Sequence, residues 1–348
     1  MNACRTWSLL ALVCLFVSFT GCDNNRTAVA SGSVSGASGA ATPATQPVEP
    51  SQPPPAQAPL VKPAGQVLRV DPARAWLYVK EILAFGPRWD GSKGQEKLGQ
   101  YLHAKLKNDQ AEEDAFVAET PAGKIPMRNI VAKFPGTKDG IIVLGSHIDT
   151  NYPLRKTSFV GANDGAATTA LLLAIADQLR GKKLEGYSVW LAFFDGEESI
   201  PTNQPGDLSW SDPESLYGSR HLAQKWEKDG TNKKIKAFFL LDMIGDKDLD
   251  ILRDSNSTPW LLDLVEQAAR RLGYQSYFFQ YSSTVSGDDH LPFKDCGVPV
   301  ADIIDLDYGY NGAFHHSVED TIDKISPKSL QVTGDVVLEA IRLLNARP

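Results

Sequence analysis

Four short apolar runs recur along the chain: Ile141-Ile142-Val143-Leu144-Gly145, Tyr187 to Phe194, Ile235 to Leu241 and Val298 to Ile304. Each has the length of a strand, and unbroken apolarity suits strands covered on both faces. Helical patterns lie between and beyond them. Ala166 to Leu179 is rich in Ala and Leu and follows the start signal Asn163-Asp164-Gly165. Ser215 to Lys228 carries Leu216, Leu222, Ala223 and Trp226. Pro259 to Leu272 begins on a proline and stops at Gly273, and Ser326-Pro327 opens a last helix that runs to about Asn345. Strands alternating with helices imply an α/β fold: one domain with a mostly parallel central sheet, flanked by helices on both faces.

In such sheets ligands sit beyond the carboxyl ends of the strands, and polar residues gather there. His147 and Asp149 follow the first run, and Asp195, Glu197 and Glu198 the second. Asp242 follows the third, Asp305 and Asp307 the fourth, and His315-His316 comes in the loop beyond. Adjacent carboxylates repel each other, and burial sharpens the repulsion. The stretch Phe193-Phe194-Asp195-Gly196-Glu197-Glu198 therefore calls for a cation or for a solvated turn. Asp164 lies among Gly161, Ala162, Asn163 and Gly165, which lets it approach an ion closely; it also suits a helix cap. His147 and Asp149 share one face of an extended segment, so one can bind a metal while the other orients it. One imidazole of His315-His316 is a candidate ligand, and the other a packing or substrate-contact residue. His103 and His221 read as surface residues. A mixed set of carboxylates and imidazoles points to Zn2+ rather than to an oxygen-only Mg or Ca site.

The ends of the chain change the picture of where this domain works. Arg5, the apolar run Leu9 to Phe19 and the ending Thr20-Gly21-Cys22 describe a signal peptide over 1–21. The run is shorter than the ~20 residues of a membrane span. Phe19-Thr20-Gly21-Cys22 resembles a bacterial lipobox, which implies lipidation of Cys22 and anchoring in the bacterial cell envelope, on the periplasmic side or the cell surface; plain secretion is the alternative. Residues 22–66 are rich in Ala, Pro, Ser and Gly and read as a disordered tether. The folded body is then 67–348, in which Cys296 is the one cysteine, so no disulfide forms within it. A net charge of −7 argues against nucleic-acid binding.

Taken in order, Gly145-Ser146-His147-Ile148-Asp149, Gly161-Ala162-Asn163-Asp164, Phe193 to Glu198, Leu240-Leu241-Asp242-Met243-Ile244-Gly245 and His316-Ser317 with Glu319-Asp320 resemble the metal-site motifs of the zinc-dependent exopeptidase fold. Arg88 to Leu102 is similar to that fold's entry segment. Trp210-Ser211 with Ser215 to Ala223, and Asp288-Asp289-His290-Leu291-Pro292-Phe293 with Gly297 to Val300, resemble one branch, the glutaminyl-peptide cyclotransferases. The resemblance implies conversion of N-terminal glutamine to pyroglutamate, with a free peptide or protein N-terminus as substrate. It implies one zinc held by Asp164, Glu198 and His316, and proton transfer by Glu197. Asp242 and Asp289 become supporting acids, Trp210 a pocket wall and His315 a substrate contact. The competing branch, the aminopeptidases, implies two zinc ions, with His147 and Asp242 joining the ligands and Asp164 bridging. Two departures from the cyclotransferase pattern stand out: His315 replaces the usual Trp before the last metal His, and Ile200 to Leu208 is inserted before Trp210.

Overall fold

The computed structural model describes residues 67–347; the expected leader, the tether and Cys22 lie outside the described residues. The strands are β1 (Glu112–Thr120), β2 (Gly123–Phe134), β3 (Gly136–His147), β4 (Leu184–Phe194), β5 (Ile235–Asp242), β6 (Ile251–Asp254), β7 (Phe278–Ser283) and β8 (Val300–Ile304). The α-helices are α1 (Pro72–Leu83), α2 (Lys93–Leu106), α3 (Thr168–Leu179), α4 (Tyr217–Asp229), α5 (Pro259–Leu272), α6 (His290–Asp295) and α7 (Pro327–Asn345). Six strands form the central sheet in the order β1-β2-β4-β3-β5-β8, while β6 and β7 pair separately. All four apolar runs fall in its parallel part, β4-β3-β5-β8. The sheet as a whole is mixed, because β1 and β2 join its β4 edge antiparallel. The α/β reading therefore holds, with a smaller parallel share than expected.

Alternation along the strands builds two cores. On one face Ile142 and Leu144 of β3, Ala237 and Phe239 of β5 and Ile303 of β8 meet apolar residues of α1, α2, α3, α5 and α7. On the other, Val143, Phe238 and Phe194 meet Leu222 and Trp226 of α4 and Phe293 of α6. Helix ends follow the local chemistry. The Ser326 hydroxyl accepts the Ser329 N–H at 3.1 Å to cap α7, and α5 ends where Gly273 turns left-handed at φ 73°. The expected helix at Ala166 begins two residues later, because residues 162–167 form a kinked π-type turn broken at Asp164 (φ −85°, ψ 89°) and Gly165. Since β3, β4, β5 and β8 run parallel, their carboxyl ends share one rim. His147 ends β3, Glu197 and Glu198 follow β4, and Asp242 ends β5. Among the described residues, no helix is long and apolar enough to cross a membrane.

Candidate metal centre

Asp164 is the hinge of two overlapping groups. His147 Nε2 lies 3.2 Å from Asp164 Oδ1 and 3.2 Å from Asp242 Oδ1. His316 Nε2 lies 3.5 Å from Asp164 Oδ2 and 3.1 Å from Glu198 Oε2. His315 completes a further set with Asp164 and His316, all of whose ligand atoms lie within 4.8 Å of one another; the two imidazole rings are 4.0 Å apart. Segments separated by up to 169 positions, from His147 to His316, thus converge. Asp164 caps no helix. Its kink carries the carboxylate inward, and Gly165 makes the kink possible: a Cβ there would stand 2.8 Å from the Asp149 carbonyl oxygen and 3.1 Å from His147 Cε1. His316 itself sits in the left-handed region, at φ 47°, a conformation that non-glycine residues hold at a cost and that clusters at functional sites.

Further acids fix the loops. Asp149 Oδ1 and Oδ2 accept the N–H groups of Glu197 and Glu198, at 3.2 and 3.1 Å, and its Oδ1 stands 3.6 Å from His147 Nδ1. Arg88, wholly buried, donates to the carbonyls of Ile148, Val160 and Gly161; burial brings its guanidinium down to about 10 against the pull of Asp164, Asp320 and Asp149. Asp195 takes no part in the ligand group. It accepts the Arg128 N–H at 2.9 Å and a Gln95 side-chain hydrogen bond. Asp305 likewise serves its own loop, accepting the N–H groups of Asp250 and Asp307.

The electrostatics fit a cation. Burial would raise the Asp164 carboxyl, but a hydrogen bond with His147 and the charges of His316, His147 and His315 hold it below its ordinary value. Burial, with Asp164 and Asp149 nearby, lifts Glu198 to about 6 although His316 opposes. His316 rises to about 9 despite its burial, through Glu198, Asp164 and Asp242. Asp164 Oδ2 and Glu198 Oε1 are buried with no hydrogen-bond donor. Such atoms are costly without a partner, and a divalent ion is a partner that carboxylates and an imidazole satisfy together. Glu197 differs. Burial first, then Glu198, Asp288 and Asp289, push it well above the ordinary carboxylate range although His147 opposes, leaving a protonatable carboxyl beside the candidate ligands.

Around Glu197 the structure assembles more acids than the sequence suggested. Asp289 is fully buried, with both oxygens lacking a hydrogen bond, and burial raises it to about 7. Asp288, passed over in the sequence, is also buried, feels the Asp242 charge and lies beside Asp302. A readable signal for Asp302 existed: it is the one charged residue inside the apolar run Val298 to Ile304. Trp210 is exposed and donates from Nε1 to Asp212 at 3.0 Å. Its ring lies on Gly287, where a Cβ would come within 2.6 Å of Cζ2. The insertion before it is anchored by Gly206 N–H to the Pro153 carbonyl at 2.8 Å and by Arg155 to the Asn203 carbonyl at 2.7 Å. His315 is held down to about 4 by burial and by His316. His103 and His221 lie away from the site, paired with Glu113 and Asp114.

Comparison with known proteins gives a consistent result. Residues 129–341 match Peptidase family M28. The glutaminyl-peptide cyclotransferase of Boiga dendrophila is 32% identical over 302 residues, which cover 74% of this chain and 78% of the relative. The crystal structure of Acidobacteriales bacterium glutaminyl cyclase superposes with a TM-score of 0.77 at 51% identity, covering 86% of this chain and 100% of that one. Porphyromonas gingivalis glutaminyl cyclase superposes with a TM-score of 0.66 at 30% identity, over 78% of this chain and 98% of its own.

Proposed function

The chain belongs to Peptidase family M28 and, within it, to the glutaminyl-peptide cyclotransferases, and from that premise we propose that it is a zinc-dependent enzyme that closes N-terminal glutamine of peptides to pyroglutamate with release of ammonia. The observation that carries the reading is the surroundings of Glu197: a buried carboxyl outside the ligand set, faced by Asp288 and Asp289, with Trp210 seated on the glycine just before them.

Asp164, Glu198 and His316 would hold the zinc. When bound, it supplies a Lewis acid for the γ-amide oxygen of the glutamine. The reaction forms a bond between the α-nitrogen and the γ-carbon and breaks the bond from that carbon to the amide nitrogen. Attack is intramolecular, so holding the side chain folded back on the free amine is much of the work. Glu197 takes a proton from the attacking amine and returns it to the departing nitrogen, leaving the enzyme unchanged. Its elevated proton affinity suits both halves of that task. Asp242 and Asp289, with Asp288 beside them, anchor the nitrogen atoms by hydrogen bonds. Trp210 walls off water, which would otherwise divert the reaction to hydrolysis, and His315 contributes a substrate contact.

A two-metal aminopeptidase reading has one observation in its favour, the His147–Asp164–Asp242 group that shares Asp164 with the first. One assay separates the two. Glutaminyl and leucyl arylamides or peptides are offered, and ammonia is measured against free amino acid. Ammonia with an uncleaved chain supports cyclisation; released leucine overturns it. About one zinc per chain accompanies the first outcome and two the second.

For location we propose export and lipid anchoring through Cys22 in a bacterial cell envelope, on the strength of residues 1–66 alone. Mass spectrometry of the mature N-terminus tests this: a diacylglyceryl group on Cys22 is the expected result, and an unmodified processed N-terminus would mean secretion.

A further inference from the structure

His290 is the buried histidine that the proposed reaction leaves without a task. It opens α6 directly after Asp288 and Asp289, and with Asp254 at the end of β6 and Asp302 within β8 it is almost wholly shielded from solvent. Its Nε2 stands 3.5 Å from Asp254 Oδ2, and its Nδ1 3.5 Å from Asp302 Oδ2. One ligand atom from each of the three residues lies within 4.8 Å of the others, but the two nitrogens address different carboxyls at 3.5 Å, as in a bridge.

The two ends of this bridge are unlike. Asp254 is an anchored anion. Its Oδ1 accepts the N–H groups of Val285 and Asn256, at 2.9 and 3.0 Å, and its Oδ2 accepts the Ser257 hydroxyl at 2.8 Å. The same Ser257 oxygen accepts the Asp302 N–H at 2.9 Å, tying the two acids to one residue. At the other end, the Asp302 carboxyl lies against Asp288 and has no donor from the backbone. Asp288 in turn lies within electrostatic reach of Asp242 and Glu197. Packing does not require polar groups here, since apolar residues would fill a core at lower cost. A continuous series of them leading to the reaction centre calls for a role.

We propose that His290 is a positioning residue for the cyclisation: Asp254 fixes the imidazole, the imidazole fixes Asp302, and Asp302 fixes the Asp288 carboxyl where it faces Asp242 and Glu197. The inference rests on the cyclotransferase reading, and its test is built so that the two fail differently.

The test compares the full chain with His290→Leu, His290→Gln, Asp288→Asn and the double variant His290→Leu/Asp288→Asn, using a glutaminyl arylamide. His290→Leu lowers kcat by about 10- to 100-fold, the usual loss when a residue supporting an active-site group is removed. KM and the metal content per chain stay unchanged, and His290→Gln, which keeps a polar bridge, recovers part of the rate. In the Asp288→Asn background the same His290→Leu change costs less than about twofold, because the group it positions is already gone. An equal cost in both backgrounds overturns the proposal, as does full kcat in His290→Leu or the loss of a bound metal with it. Should His290→Leu fail to fold, as judged by its thermal midpoint, His290→Gln is carried through the same cycle with the same criteria. A folded, metal-loaded wild type that releases no ammonia overturns the cyclotransferase reading itself, and this inference with it; an active wild type indifferent to His290 overturns this inference alone.

Discussion

Asp320 holds Asp164 by its backbone: Asp320 Oδ2 accepts the Asp164 N–H at 3.1 Å, while Oδ1 accepts the neighbouring Asn163 N–H at 2.8 Å. The Tyr308 hydroxyl donates to the same Oδ1 at 2.6 Å. Asp149 grips Glu197 and Glu198 in the same manner. Two of the three loops that carry the proposed ligands, those of Asp164 and Glu198, are thus each locked by a carboxylate that spans two successive N–H groups, so these side chains are set before any ion arrives. Asp320→Asn replaces one acceptor with an amide donor that faces an N–H. The expected outcome is a loss of about 10- to 100-fold in metal affinity, the range for residues that orient metal ligands. Competition with a graded series of chelators measures it, and an affinity equal to wild type would show that the grip does not preset the site.

Glu197→Gln separates proton transfer from metal binding. Glutamine keeps the shape and removes the titratable oxygen, while Asp164, Glu198 and His316 remain. General acid–base groups contribute about 100- to 10,000-fold to rate, so turnover of glutaminyl substrates should fall by that order with metal content intact. Kinetics and metal analysis on one preparation check both halves. A variant that stays fully active would remove Glu197 from the mechanism.

How much of this was legible in the sequence depended on whether a signal was local. The runs around Leu144, Leu191, Phe239 and Ile303 marked the parallel strands because burial on both faces makes them continuously apolar. The β1–β2 hairpin escaped notice because it lies at the sheet edge, where Lys124, Arg128 and Lys133 interrupt the pattern of β2 and β1 buries only Asp114 and Ala118. The rim of carboxylates and imidazoles was visible because strand ends announce it. Which way each acid turns was not visible: Asp195 is two residues from Glu197 yet faces Gln95 and Arg128, a direction fixed by the turn at Gly196 (φ 70°). The Asp254–His290–Asp302 series joins segments that meet only in the folded chain, so no local pattern revealed it.

Gly287 is predicted to govern substrate affinity through Trp210. The indole lies where a Gly287 side chain would be, 2.6 Å from Cζ2, and its other restraint is one exposed hydrogen bond to Asp212. Gly287→Ala must displace the ring, because the backbone cannot retreat without moving Asp288. Losing an aromatic wall of this kind costs on the order of 1–2 kcal/mol of binding, or roughly 10-fold in KM. Steady-state kinetics with glutaminyl dipeptides should give a raised KM and a nearly unchanged thermal midpoint. A raised midpoint or unchanged KM would mean that the ring does not contact substrate.

Asp254 should also leave a mark on stability at acid pH. Burial alone would raise its carboxyl, but the His290 imidazole beside it and hydrogen bonds from the N–H groups of Val285 and Asn256 and from the Ser257 hydroxyl bring it to about 2. The unfolded chain has the ordinary value, 3.8. A carboxyl with a lower value when folded stabilises the native state above the unfolded value, and that contribution fades as the pH falls from 3.8 through about 2. Asp254→Asn removes the titration while leaving the volume. The thermal midpoint of the variant should therefore lie below wild type at pH 5 to 7, by several degrees for a loss on the order of 1–2 kcal/mol, and the gap should narrow as the pH approaches about 2. Taking the difference between two proteins cancels the buried acids with raised values, Glu197 and Asp302 among them, which push stability the opposite way as pH changes. A gap that stays constant across this window would mean that Asp254 is already protonated in the fold, and the anchored end of the His290 bridge would be neutral.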